Sequence, residues 1–100
     1  MTPAAFKSSV THDAPPSGLS GPLNALWWAA KGDWDRAHKI VQDDDGADAA
    51  WVHAYLHRVE GDLSNAGYWY RRATRPVAKD ALETEWNSIS EALLASTSTR

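Results

Sequence analysis

The stretch EGDLSNAGYWYRR, residues 60–72, decides how this chain folds. Gly61 ends the segment before it, because glycine alone enters the left-handed backbone region at no steric cost. Asp62 then supplies an N-cap carboxylate for orphan amides of a new helix. Leu63, Ala66, Tyr70 and Ala73 fall on one stripe of that helix, and Pro76 stops it. The preceding run from about Asp48 to Glu60 is itself helical in pattern, with Val52, Tyr55, Leu56 and Val59 as its apolar side. Residues 48–75 therefore predict an antiparallel helical hairpin folded about Gly61.

The same grammar appears once more upstream. Laying ALWWAAKGDWDRAHKIV over AYLHRVEGDLSNAGYWY pairs Ala25 with Ala54, Gly32 with Gly61, Asp33 with Asp62, Trp34 with Leu63, Ala37 with Ala66 and Val41 with Tyr70. Ser20 and Pro22 open this earlier unit as N-cap and first-turn residues, and the run Asp43-Asp44-Asp45-Gly46 closes it as a solvated turn. A further helix within VAKDALETEWNSISEALLAS sets Leu82, Trp86, Ile89 and Leu93 on one face. The expected fold is all-α: two stacked antiparallel helical hairpins plus a C-terminal amphipathic helix, spanning residues 21–96. Residues 1–20, with Pro3, Pro15, Pro16 and Gly18, read as a flexible arm that Phe6 and Val10 could dock, and 97–100 as a disordered tail.

The GDW..A...V and GDL..A...Y..A spacings over residues 22–74 resemble the tetratricopeptide repeat. That resemblance implies stacked helix pairs and a partner-binding role. The offset from Gly32 to Gly61 is 29 residues, against about 34 in that family, so the second helix and its turn are compressed. The string WVHAYLHRVEGDLSNAGYWYRRA also resembles a group of small uncharacterised bacterial proteins with fungal relatives, which carry similar His-Ala-x-Leu-His-Arg and Tyr-Trp-Tyr-Arg-Arg runs. It implies no particular activity.

Composition narrows the classes. The chain has 100 residues, no cysteine, six tryptophans and a formal net charge of −3. Absence of cysteine excludes disulfides, thiolate metal sites and a cysteine nucleophile. The acidic balance argues against nucleic-acid binding, no run is long enough to span a bilayer, and the first residues lack signal-peptide character, so a cytoplasmic location without membrane association is expected. There is no P-loop, nucleophile elbow or dinucleotide fingerprint, and no cofactor is implied.

Chemistry concentrates on the second hairpin. His53, His57 and Glu60 sit at i, i+4 and i+7, and Asn65, Trp69 and Arg72 form a neighbouring stripe. Folding about Gly61 sets His57 level with Asn65, His53 with Trp69 and Ala50 with Arg72. One reading makes the histidines buried structural groups hydrogen-bonded to neighbours. Another adds His38 as a third ligand for a metal ion, although the zincin spacing is absent and no metal is favoured. Tyr68, Trp69 and Tyr70 point about 100° apart on a helix, so Tyr68 or Trp69 is available to a partner. Arg71 and Arg72 are either solvated or positioned to capture a small anionic ligand. The leading functional expectation is a non-enzymatic interaction module binding a protein or peptide. The alternative is a small-molecule or enzymatic site lined by His53, His57, Asn65, Trp69 and Arg72. Trp27 and Trp28, on adjacent helical faces, cannot both face the same partner helix, which favours a homodimer.

Overall fold

The computed structural model describes residues 1–97. Among them are six helices and no strand: α1 (Pro3–Ser9), α2 (Gly21–Ala30), α3 (Trp34–Val41), α4 (Ala47–Val59), α5 (Leu63–Ala73) and α6 (Leu82–Thr97). The all-α expectation holds. No helix among the described residues is long and apolar enough to cross a membrane.

The hairpin turns follow from their residues. Ser20, Asp33 and Asp62 cap α2, α3 and α5 by accepting from the amides of Leu23, Arg36 and Asn65. Gly32 and Gly61, just ahead of two of those caps, have φ of 88° and 87°, the left-handed conformation each turn requires. Helix α5 ends at Ala73, two residues short of the end that Pro76 alone suggests. Thr74 adopts φ 58° as its C-cap, and the amides of Thr74 and Arg75 bond back to Arg71 and Tyr70.

Helix α4 is the hub, in contact with α2, α3, α5 and α6. Every residue from Ala49 to His57 is buried, so α4 is a core helix and not an amphipathic one. This corrects the expectation of an apolar side opposite a histidine side: the histidines lie as deep as Val52 and Leu56, whereas Val59 is exposed. Leu63 and Leu82, expected in apolar stripes, are exposed as well.

Helix α6 closes the core through Trp86, Ile89, Leu93 and Leu94, and the indole N–H of Trp86 donates to the Leu26 carbonyl at 2.9 Å. A buried carboxylate ties α6 to the second hairpin. Glu85 accepts from Arg58 Nη1 at 2.8 Å and from the Tyr70 hydroxyl. Burial and that bond raise the Tyr70 phenol above its ordinary range.

The N-terminal segment is not a loose arm over its first part. Thr2 caps α1, Phe6 is fully buried and stacked on Trp86 at 5.4 Å between ring centroids, and the Ser9 hydroxyl accepts from Trp27 Nε1 at 3.1 Å. Lys31 donates to the Val10 carbonyl at 2.7 Å. The physical reason is pairing: Trp27 is buried whole, and its N–H needs an acceptor, which Ser9 of this segment supplies. Of the tail expected over 97–100, Thr97 closes α6 and residues 98–100 lie outside the described residues.

Candidate functional site

Three imidazoles meet between two indoles. Helix α4 carries His53 and His57 one turn apart on the side facing α3 and α5. Helix α3, short and starting at the capped Trp34, brings His38 across from them one turn after that indole. His38 Nε2 and His53 Nε2 are 3.0 Å apart, and His57 completes the group with ring centroids 5.4 Å from His38 and 4.9 Å from His53. One ring nitrogen from each of the three lies within 4.8 Å of the other two.

The indoles fix the rings. Trp34 stacks on His38 at 4.7 Å and 10°, and its own N–H donates to the Leu56 carbonyl at 2.6 Å. Trp69 lies on His53 at 3.9 Å and 14°. Glu60, at the end of α4, holds His57 Nδ1 at 2.6 Å. A carboxylate only accepts, so Nδ1 carries the hydrogen and Nε2 is the nitrogen turned away from Glu60.

Electrostatics disfavour protonation of His38 and His53. Burial, reinforced by the positive charge that His38 and His57 would carry, pushes the His53 pKa down to about 4. Burial is also the main cause lowering His38, followed by His57. At neutral pH these two rings therefore present lone pairs and little competing proton. His53 Nδ1 is buried and has no hydrogen-bond partner. Whichever tautomer His53 takes in the pair with His38, that atom stays unmatched at a cost of roughly 1–3 kcal/mol. Histidines retained for stability alone are expected to be paired.

The remaining sequence candidates divide. His53, His57, Glu60 and Trp69 come together, and His38 joins them. Asn65 does not reach His57. Its amide and side chain turn to Asp62, at 3.2 and 3.5 Å, as part of the α5 cap. Arg72 is exposed, with its guanidinium 5.2 Å from the Trp69 ring and Nη1 donating to the Tyr68 hydroxyl at 3.1 Å. Tyr68 is 44% exposed and Arg71 is exposed. A second group, His57, Glu60 and Asp62, lies within the same distance limit, but Asp62 already serves Asn65 and Glu60 already holds His57.

Trp34 is the site residue that sequence reasoning missed. The repeat alignment equates it with Leu63 as an apolar filler, yet Leu63 is 68% exposed while Trp34 covers an imidazole. The available signal was its spacing of four from His38 on one short helix. Comparison with protein families, with curated proteins and with solved structures finds no match to this chain in any of the three.

Proposed function

We propose that the chain binds one transition-metal ion through His38, His53 and His57. The observation that carries this reading is the convergence of three imidazole nitrogens, with His38 Nε2 and His53 Nε2 3.0 Å apart. Two nitrogens that share a tetrahedral ion at a bond length of about 2.0–2.1 Å are separated by about 3.3 Å, so the pair needs little movement to accept one. The Glu60 contact with Nδ1 of His57 is the carboxylate–histidine arrangement that orients a ligating imidazole and raises its basicity. Imidazole donors suit zinc, copper, nickel and cobalt, and an all-nitrogen set with no thiolate favours the divalent ions over Cu(I).

Isothermal titration of the full chain with zinc tests the proposal. One ion per chain is expected, retained in His12→Gln, which alters the exposed histidine outside the cluster, and lost in the His53→Gln, His57→Gln double variant. Equal uptake by that double variant would sink it.

A separate observation favours a second reading, in which the domain is a helical interaction module whose partner is another copy of itself. Three exposed apolar side chains, Leu63, Val77 and Leu82, edge one groove of about 460 Å³ floored by Ala66 and Tyr70. Gathered apolar exposure of this kind marks association surfaces. The surface differs from the one that sequence suggests: Trp28 is half-buried, edge-on to Trp27 and covered by the Arg36 guanidinium at 4.1 Å. Light scattering at micromolar concentration should give a dimer mass that Leu63→Asp reduces to a monomer. A monomer mass for the unaltered chain would remove this reading.

A further inference from the structure

We infer that an ion held by His38, His53 and His57 keeps an open coordination position that takes water or a small anion, which makes the centre reactive in type and not merely a staple. The inference rests on the proposed metal reading. The group that converges is a threesome: among the described residues no fourth His, Asp or Glu atom joins it, and the chain has no cysteine. Glu60, the nearest carboxylate that could have become a fourth ligand, has its Oε2 on Nδ1 of His57, across the ring from the nitrogen that would face the ion. Structural zinc sites close with four protein ligands, whereas sites with three leave the fourth position to solvent or substrate.

Access and charge point the same way. His53 and His57 are buried, but His38 is only half-buried, so a small molecule can approach from the α3 side. Three neutral imidazoles leave both positive charges of the ion uncancelled, and Glu60 offsets only part of them from beyond His57. The fourth ligand is therefore best an anion: hydroxide from bound water, or a small exogenous one such as azide. The stacked faces of Trp34 and Trp69 limit its size, since they occupy the flanks of two of the three rings.

The test is the visible spectrum of the cobalt(II)-loaded full chain with and without excess sodium azide. Bands of four-coordinate cobalt should appear, move on azide addition in a saturable way, and also move between mildly acidic and mildly alkaline buffer as the bound water loses its proton. His12→Gln should keep the azide response, because that exposed histidine lies outside the cluster. If cobalt binds but its bands ignore azide, the protein fills the fourth position and this inference is overturned while the metal reading stands. If the chain takes up no cobalt, zinc or copper, both fall.

Discussion

The His53 imidazole lies flat on the Trp69 indole, ring centroids 3.9 Å apart and planes 14° from parallel, so a side chain of α5 clamps a polar ring of the buried helix α4. The contact fixes the plane of His53 and with it the direction of its lone pairs. Replacing Trp69 with Leu should leave the hairpin folded and lower zinc affinity about tenfold, the lower end of what outer partners of ligating histidines contribute. Competition against a chromophoric chelator measures this; an unchanged affinity would show that the stacking only fills space.

Glu60 offers a cleaner probe, since its side chain is 39% exposed and lies outside the core. Glu60→Gln keeps a hydrogen bond to His57 and removes the charge. Zinc affinity should fall about 10–100-fold while the thermal midpoint of the metal-free protein barely moves. Loss of stability without loss of affinity would assign Glu60 to the fold.

The pH dependence has a definite sign. The folded-state pKa of His53 is depressed to about 4 from 6.5 in the unfolded chain. Between those values the unfolded state binds the extra proton, so stability is highest above pH 6.5 and falls as pH drops toward 4. At about 1.4 kcal/mol per pH unit the loss amounts to roughly 3 kcal/mol. Urea unfolding of the metal-free protein, held in chelator across that range, should show a slope that His53→Leu flattens. A slope shared by both proteins would shift the acid sensitivity to other groups.

Phe6 anchors α1, and Phe6→Ala should cost about 3–5 kcal/mol as a cavity opens beside Trp86. Denaturant midpoints decide it. A cost near zero would mean that α1 does not hold the core closed in solution.

How much of this was legible beforehand differs by residue. Gly61, Asp62 and the Leu-Ala-Tyr-Ala stripe announce a hairpin because turn, cap and periodicity agree locally, and the pairing of His53 with Trp69 follows by counting outward from that turn. Burial of the histidines was one of the readings open from sequence, but burial of the whole run from Ala49 to His57 was not legible: α4 is surrounded on all sides, and a polar residue at the centre of a bundle carries the same letters as one on its surface. The convergence of His38 depends on how α3 crosses α4, which is set by long-range contacts that no window of sequence contains. Helix α1 escaped for a related reason. Seven residues are too few for a periodic signal, and its order comes from Phe6 and Ser9 meeting Trp86 and Trp27.

The most direct test of the metal centre is X-ray absorption at the zinc edge of the loaded full chain. Three imidazole nitrogens at about 2.0–2.1 Å, with one non-protein oxygen, are the expected ligands. A shell made of oxygens alone, or one unchanged in the His53→Gln, His57→Gln double variant, would contradict the account.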